Sequence, residues 1–388
     1  MAGIGRDRLV RWSAALLAGY AALLAVCYAQ GVWFVNGDGY RETDFVNVWA
    51  AGWLALQGDA AAVYDWGIHR QAEVVALGHD FTGYFGWHYP PMLLLAAAPL
   101  AMLPYLAAWL SWSALTAAFL IWVLRRIEPD NAVVLPLMAA PATLWCVVTG
   151  QNGFLTAGLI GATLAFLDRR PVLAGIFLGL LTYKPQFGVL FPLALLAGGH
   201  WRAIASATVT ALLLASASAL VFGLDTWAAF VQSATATVDG VLRAGAPGWA
   251  KLQSVYALLF VWTGSELWAW GGQIATVVML AALVAWAFRA PMPHGVRAAM
   301  LAAAAAMATP YAYVYDLTIL TVAAAFLAQD GLRHGFLPGE RPALACGLVL
   351  PALFGALGSA AGLSAAALVL AMSLRRALRP PRIPVVVS

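Results

Sequence analysis

The chain has 388 residues, of which 63% are hydrophobic and only 10% are charged. A soluble globular domain carries about 25% charged residues, so this composition excludes a soluble protein and predicts a single membrane domain over residues 1–388. The net charge of +4 reflects membrane topology, as the positions of the basic residues show below, and we expect no nucleic-acid partner.

Apolar segments recur along the chain and predict an all-α polytopic membrane protein with about 12 transmembrane or half-spanning helices. The first segment is too long for the apolar core of a signal peptide, so we expect it to remain as a membrane anchor. The predicted segments are 13–35, 105–125, 131–148, 153–167, 172–183, 185–198, 203–223, 266–288, 298–309, 316–328, 342–357 and 360–374.

The basic residues predict the orientation of these helices. With a cytoplasmic N-terminus, 16 of the 21 lysines and arginines fall on the cytoplasmic side, as the positive-inside rule requires. We therefore expect a plasma (inner) membrane protein with both termini in the cytoplasm. Two long loops, about 36–104 and 224–265, then face the periplasm or the exterior, and so does the active site.

The first outer loop is expected to contain juxtamembrane helices. Apolar residues at helical spacing after Asp44 predict an amphipathic helix that begins at Asp44 and lies against the bilayer. A second amphipathic helix begins at Asp65, as its N-cap, and ends at Gly78. The apolar stretch 91–103 predicts a re-entrant or interfacial helix. The residues predicted on the apolar face of the second helix are Ile68, Ala72, Val75 and Ala76.

Four of the predicted helices are too short to cross a membrane. A 12-residue helix reaches roughly 18 Å, whereas the hydrocarbon core is roughly 30 Å thick. The turns between 172–183 and 185–198, and between 298–309 and 316–328, are therefore expected inside the membrane. Polar backbone at that depth must line a cavity. We expect an outward-opening cavity with Lys184 and Asp316 near its floor.

Asp44 and Lys184 are the strongest candidates for chemistry. A carboxylate at the water–lipid boundary can act as a base on a lipid-linked substrate, although Asp44 also suits a helix cap. A lysine in apolar sequence is expensive to bury unless it is paired or hydrated, so function is the default interpretation of Lys184. Snorkelling of its ammonium group to the interface is the alternative.

Other polar residues allow a functional and a structural interpretation. His88 and Tyr89 precede two prolines and are either interfacial anchors or phosphate ligands. Gln151 and Asn152 form either a tight turn or a pair of carboxamides suited to sugar hydroxyls. Asp316 either caps the helix that follows it or neutralises Lys184.

The remaining charges and the cysteines carry weaker signals. Arg243 and Lys251 are either solvated charges or groups that recruit an anionic headgroup. Cys27, Cys146 and Cys346 lie in apolar segments and are interpreted as small buried hydrophobic residues. The histidines and acids show no metal-binding spacing, and we expect no metal and no cofactor.

Taken in chain order, several short motifs resemble glycosyltransferase family 87 over about residues 44–330. They are Asp44-Phe45, Leu56-Gln57-Gly58, Val63-Tyr64-Asp65, Tyr89-Pro90-Pro91, Gly150-Gln151-Asn152, Leu180 to Lys184-Pro185, and Thr309-Pro310. The chain departs from the family after Pro310, where a histidine is frequent. The residues found there instead are Tyr311, Tyr313, Tyr315 and Asp316.

The resemblance implies an enzyme of the glycosyltransferase superfamily C fold that takes a hexose, expected to be mannose, from a polyprenyl-phosphate donor to a lipid or glycan acceptor of the cell envelope. Asp44 would be the general base of an inverting reaction. The residues expected at the donor phosphate are Lys184, His88, Lys251 and Arg243. Those expected at the sugar or acceptor are Gln151, Asn152, Tyr89, Tyr183 and Asp316.

Two other function classes stay open at the level of sequence. A multi-pass transporter or flippase would fit the number of helices but is expected to have two similar halves, and the longest polar segment here is the first outer loop. A lipid-linked glycan ligase or polymerase usually relies on a large outer loop late in the chain. A single cavity shared by Asp44 and Lys184 would favour the glycosyltransferase over the transporter.

Overall fold

The computed structural model describes residues 5–31 and 39–379. The end of the predicted first helix (32–35), the first residues of the outer loop (36–38) and Arg382 lie outside these ranges. The α-helices are α1 (Arg6–Ala29), α2 (Phe45–Leu56), α3 (Trp66–Leu77), α4 (Leu94–Ala101), α5 (Tyr105–Ile127), α6 (Asn131–Met138), α7 (Pro141–Thr149), α8 (Gly153–Phe166), α9 (Pro171–Leu180), α10 (Phe191–Ala197), α11 (Trp201–Phe222), α12 (Leu224–Thr237), α13 (Val255–Thr263), α14 (Glu266–Arg289), α15 (His294–Met307), α16 (Ile319–His334), α17 (Glu340–Val349), α18 (Phe354–Leu357) and α19 (Ser359–Ala377).

Short helical turns connect several of these helices, and no β-strand occurs in the described ranges, which confirms the all-α class. The 3-10 turns are Ala60–Tyr64, Pro91–Leu93, Leu181–Tyr183, Pro185–Phe187, Trp249–Lys251, Val314–Thr318 and Leu350–Leu353, and Val238–Arg243 is a π-helical turn.

Six helical segments are long and apolar enough to cross a membrane, namely α1, α5, α11, α14, the run from α17 to α18, and α19. A seventh crossing results if α6 and α7, which meet at a bend of 52°, count as one span. The protein is therefore polytopic. The other predicted segments are helices of 7 to 16 residues, which are α8, α9, α10, α15 and α16.

The two predicted turns within short helix pairs come together in space. One turn joins α9 to α10 and contains Lys184 and Pro185; the other joins α15 to α16 and contains Asp316. The Lys184 Nζ lies 2.7 Å from an Asp316 carboxylate oxygen. Helix α8, which packs against both α9 and α16, holds the two turns in register.

The first outer loop is folded against the rest of the protein. Helix α2 packs against α3 and α4, and 8 of its 12 residues are buried. Gly52 allows this contact, because a Cβ atom there would clash with the backbone of Ala97 in α4. The helix predicted after Asp44 is thus present and mostly covered by protein, and its position relative to the bilayer stays a prediction. The apolar stretch 91–103 does form a helix, α4, in this layer.

Helix α3 has the predicted ends but buries a different face. Asp65 accepts a hydrogen bond from the Ile68 backbone N–H at 3.0 Å, and Gly78 ends the helix with a φ of 81°, as expected for a cap and a left-handed stop. The predicted apolar face is wrong in part, because Ile68 and Val75 are exposed. In their place the helix buries His69 and Glu73, since docking on α2 sets its rotation.

The second outer loop is helical over most of its length, which the sequence interpretation missed. Helix α12 follows α11 directly, and α13 packs against α14. Local signals for α13 were present: the Ser254 hydroxyl accepts a hydrogen bond from the Ala257 N–H at 3.2 Å, and Gly264 ends the helix with a φ of 64°. This segment forms one wall of the pocket described next.

Candidate active site

A pocket of about 400 Å³ lies where the first loop, the turn after α7, the turn between α9 and α10, helix α12 and the turn after α15 meet. Sequence reasoning proposed ten site residues, and six of them line this pocket. The six are Asp44, His88, Tyr89, Gln151, Tyr183 and Lys184. The expectation that Asp44 and Lys184 face one cavity is therefore met.

Asp44 precedes α2 and holds its carboxyl group at the pocket wall. The Oδ2 atom accepts a hydrogen bond from the Gln151 amide Nε2 at 3.3 Å, whereas no side-chain bond caps the start of the helix. Burial raises the pKa of Asp44, and the charge of Lys251 and the Gln151 bond oppose that shift. A carboxylate with a raised pKa is a stronger base. Because Asp44 does not cap the helix, its oxygens stay able to accept a proton.

Gln151 orients the Asp44 carboxylate. Its Oε1 accepts from the Tyr89 hydroxyl at 3.2 Å and from the Asn152 backbone N–H at 3.3 Å, so its Nε2 is the end that points to Asp44. Gly150 makes the turn possible with a φ of 66°. A Cβ atom at Gly150 would lie 2.5 Å from the Trp109 ring, so the position has no room for a side chain.

Lys184 is buried, with 4% of its side chain exposed, and its charge is matched. The ammonium group donates to Asn152 Oδ1 at 2.8 Å and to Asp316 Oδ1 at 2.7 Å, and it lies 5.1 Å from the centre of the Tyr315 ring. Snorkelling to the interface is therefore wrong. Because an ammonium group has three donors, one N–H remains for a ligand in the pocket.

Asn152 and Asp316 lie behind Lys184 and are not among the residues that line the pocket. Asp316 is fully buried, and its Oδ2 accepts from the Tyr313 backbone N–H at 3.1 Å. Asp316 thus neutralises Lys184 and also caps the turn before α16, so both structural interpretations hold. Because Asp316 does not line the pocket, its position does not allow the predicted direct contact with the sugar. Asn152 likewise positions Lys184.

His88 lines the pocket beside Tyr84, with ring centres 5.6 Å apart. Its Nδ1 lies 2.9 Å from the Thr237 hydroxyl of α12. Burial, with a smaller contribution from His69, lowers the pKa of His88 to about 4. The imidazole is therefore neutral near pH 7 and brings no charge to a phosphate.

Arg243 and Lys251 lie on the second loop and do not line the pocket. Arg243 is engaged on the surface, with its Nε 2.8 Å from a Glu266 carboxylate oxygen and a further ion pair to Asp239. This arrangement favours the solvated interpretation of Arg243. Lys251 is exposed and makes no ion pair within the described ranges, and its charge is felt at Asp44.

The pocket also contains residues that sequence reasoning did not single out as site residues. Asn47 follows Asp44 by three positions and so shares its helix face; its Oδ1 is buried without a hydrogen-bond partner among the described residues. Thr237 gave no signal, because its segment was expected to be a loop. The turn where the chain departs from the family supplies an aromatic wall. Its lining residues are Tyr311, Tyr313 and Tyr315.

Comparison with known proteins assigns a family to the region that contains most of the pocket-lining residues. Residues 87–310, more than half of the chain, match the family model of glycosyltransferase family 87. The match includes His88, Gln151 and Lys184, whereas Asp44 and Asp316 lie outside it. Searches of the curated proteins and of the solved structures find no match.

Proposed function

The chain belongs to glycosyltransferase family 87, and from this premise we propose an inverting membrane glycosyltransferase of the superfamily C type. Its donor is a polyprenyl-phosphate hexose, with mannose as the sugar, and its acceptor is a lipid or glycan of the cell envelope. One observation carries the proposal: a carboxylate and an ammonium group, Asp44 and Lys184, line one pocket. A transporter has no need of such a pair in one cavity.

Asp44 is the general base of the proposed reaction. It takes the proton of the acceptor hydroxyl while the hydroxyl oxygen forms a bond to the anomeric carbon of the donor sugar. The bond from that carbon to the phosphate oxygen breaks, and polyprenyl phosphate leaves with the electron pair. Because Gln151 holds Oδ2 of Asp44, Oδ1 is the oxygen available to the acceptor.

The donor phosphate lies at Lys184, and Lys251, which lies outside the pocket, adds positive charge whose effect reaches Asp44. As the bond to the sugar breaks, the phosphate charge grows from about −1 towards −2, and donors aimed at it stabilise the transition state. Lys184 contributes its remaining N–H, because Asp316 already balances its charge. Lys251 contributes uncompensated charge. A single leaving phosphate needs no divalent metal on charge grounds.

Aromatic side chains shape the sugar site in this proposal. The Tyr183 hydroxyl is engaged with Thr156 at 2.6 Å, and the Tyr89 hydroxyl is engaged with Gln151. Both tyrosines therefore offer ring faces to the sugar rather than free hydroxyls. A sugar ring in this position would bring its anomeric carbon between Asp44 and Lys184.

We further propose that the pocket opens to the periplasm or exterior of a plasma membrane. In this proposal the long helices cross the membrane, the short pairs α9–α10 and α15–α16 enter it part of the way, and both termini are cytoplasmic. Cysteines introduced at Asp59 and Ala236, both exposed, should then react with an impermeant thiol reagent in intact cells. Ala60 is unsuitable because it is buried. Labelling of both sites only after lysis would show that the topology is the reverse of the proposed one.

The decisive experiment measures donor use by the purified protein in nanodiscs. We expect label to pass from polyprenyl-phosphate mannose to envelope lipids or glycans in the presence of EDTA, because the leaving group is a single phosphate. GDP-mannose and UDP-hexoses should give no transfer. Transfer directly from a nucleotide sugar, or loss of transfer with EDTA, would overturn the proposed donor.

A further inference from the structure

The hydrogen-bonding pattern around His88 fixes the position of its ring proton. Its Nδ1 lies 2.9 Å from Oγ1 of Thr237, and the same Oγ1 lies 3.2 Å from the carbonyl oxygen of Ser233, one turn earlier in α12. A hydroxyl has one hydrogen, and a carbonyl oxygen can only accept. Both contacts are satisfied when Thr237 donates to Ser233 and accepts from His88. The ring proton is then on Nδ1.

The second ring nitrogen of His88 is consequently an acceptor. Its Nε2 has no hydrogen-bond partner in the protein across residues 5–31 and 39–379, and the residue lines the pocket. The titratable groups around the ring are Tyr84 and His69, and neither brings a charge that would hold a second proton on the imidazole. Burial lowers the pKa of His88 to about 4, so the Nε2 lone pair is free near pH 7.

The ring of His88 is held in this orientation by its neighbours. Tyr84 packs against it on one side and is itself supported by Trp66, with ring centres 4.6 Å apart. The Tyr64 hydroxyl donates to the backbone carbonyl of Tyr89 at 2.8 Å, which anchors the chain directly after His88. A ring fixed in this way presents one defined acceptor to the ligand.

We propose that His88 determines specificity by accepting a hydrogen bond, through Nε2, from a hydroxyl of the carbohydrate. This inference rests on the proposed function and changes one part of it, because His88 was expected at the donor phosphate. A phosphodiester near neutral pH has acceptor oxygens and no hydrogen to donate, so two lone pairs would face each other there. Hydroxyl groups are present on both the donor sugar and the acceptor, and each can donate.

A nitrogen-15 NMR measurement tests the ring proton without any substrate. In protein labelled at histidine, the His88 signals are those lost in His88→Phe. We expect a protonated Nδ1 and an unprotonated Nε2 that do not titrate between pH 6 and 8. Thr237→Val, which keeps the volume and removes the hydroxyl, should move the proton towards Nε2, and Thr237→Ser should keep it on Nδ1. A proton on Nε2 in the native protein overturns the proposal.

Kinetics identify which hydroxyl is contacted. Loss of one such hydrogen bond should lower kcat/KM by about 10–100-fold in His88→Phe, with a smaller loss in Thr237→Val that Thr237→Ser avoids. If the hydroxyl belongs to the donor, one monodeoxy analogue of polyprenyl-phosphate mannose should be a poor donor for the native enzyme. His88→Phe should use that analogue as well as it uses polyprenyl-phosphate mannose. If it belongs to the acceptor, only the acceptor KM should rise.

These outcomes separate the inference from the proposed function. The role of His88 is overturned if the native enzyme and His88→Phe discriminate equally between mannose and deoxymannose donors and have the same KM for donor and for acceptor. This holds even if mannose transfer is confirmed. Absence of any transfer from polyprenyl-phosphate mannose overturns the proposed donor, whereas the NMR result still decides the ring proton.

Discussion

The pocket and the buried cluster around Arg376 both hold charges in the protein interior, but they use them differently. Arg376 of α19 contacts Asp330 and Glu340, and its side chain is 4% exposed. Its guanidinium group also donates to the Gly335 carbonyl oxygen at 3.2 Å, and a Glu340 oxygen accepts from the Leu337 N–H at 2.8 Å. Every charged group there has partners within the protein.

Hydrogen-bonding capacity in the pocket is only partly used. Asp44 has one bond of 3.3 Å, from Gln151, and Lys184 keeps one N–H beyond its two partners. Polar groups that lack hydrogen-bond partners in a buried site lower the stability of the protein. A site that served only as a stabilising ion pair would not contain such groups. The comparison indicates that the Arg376 cluster stabilises the protein, whereas the pocket is built around a ligand.

Removal of the Asp44 charge gives the largest expected effect. Asp44→Asn keeps the shape and the contact with Gln151 but cannot accept the proton, and loss of a general base typically lowers the rate by about 10²–10⁴-fold. The quantity to measure is kcat with a polyprenyl-phosphate mannose donor, alongside thermal unfolding. The matched control is Asp59→Asn, an exposed acid of the same loop, for which kcat should stay unchanged. Turnover of Asp44→Asn near the native rate would leave Asp44 no role as a base.

Lys184 should show both a catalytic and a structural effect. Lys184→Met removes a phosphate donor and leaves Asp316 buried without its partner, so we expect turnover to fall about 10²–10³-fold and stability to fall by about 3–5 kcal/mol.

A double variant separates the two effects of Lys184. Asp316→Asn retains the cap on Tyr313 and removes the unpaired charge, so Lys184→Met with Asp316→Asn should regain most of the lost stability but none of the turnover. Unfolding temperature and kcat of the folded fraction measure the two quantities. Recovery of turnover together with stability would make the pair purely structural, like the Arg376 cluster.

Arg376→Met should affect stability alone. Asp330 and Glu340 would lose the guanidinium group that pairs with them, which costs about 3–5 kcal/mol when a buried ion pair is broken. We expect a lower unfolding temperature and lower folded yield, with native kcat for the protein that remains folded. A fall in kcat at full folded yield would show that the two regions are coupled.

Local signals allowed much of the fold to be predicted. The long apolar segments, the Asp65 cap and the Gly78 stop depend on neighbouring residues only, and the structure has each of them. The short helix pairs also predicted correctly that Lys184 and Asp316 lie near each other. That contact joins residues 132 positions apart, and it could be predicted because both residues lie in turns of helix pairs that are too short to cross a membrane and carry opposite charges.

Other features that depend on distant contacts could not be predicted. Thr237 and His88 are 149 residues apart in sequence, and nothing near either residue indicates the contact. The rotation of α3 is set by its docking on α2, and so the helix buries His69 and Glu73 although Ile68 and Val75 beside them are apolar. Hydrophobic periodicity predicts that a helix is amphipathic but contains no information on its contacts with other helices.

Glu73 yields the smallest expected effect, which is visible only as a dependence on pH. Its side chain is fully buried 3.4 Å from His69 Nε2, next to Arg70 and facing Tyr84 and Tyr105, and neither of its oxygens has a hydrogen-bond partner in the described ranges. Burial raises the pKa of Glu73 from 4.5 to about 9. The folded protein therefore holds a proton that the unfolded chain loses above pH 4.5, and stability falls as pH rises towards 9.

The pH window above 7 isolates Glu73 from its neighbour. Burial lowers the pKa of His69 to about 3, so the contribution of His69 to stability rises only between pH 3 and 6.5 and is constant above that range. Between pH 7 and 8.5, the free energy of unfolding of the native protein should fall by about 2 kcal/mol relative to that of Glu73→Gln, because of the Glu73 proton. Unfolding followed by tryptophan fluorescence at both pH values measures the difference, with Asp59→Asn as an exposed control that should behave like the native protein. Parallel pH dependence of the native protein and Glu73→Gln would show that Glu73 holds no proton in the fold that the unfolded chain loses.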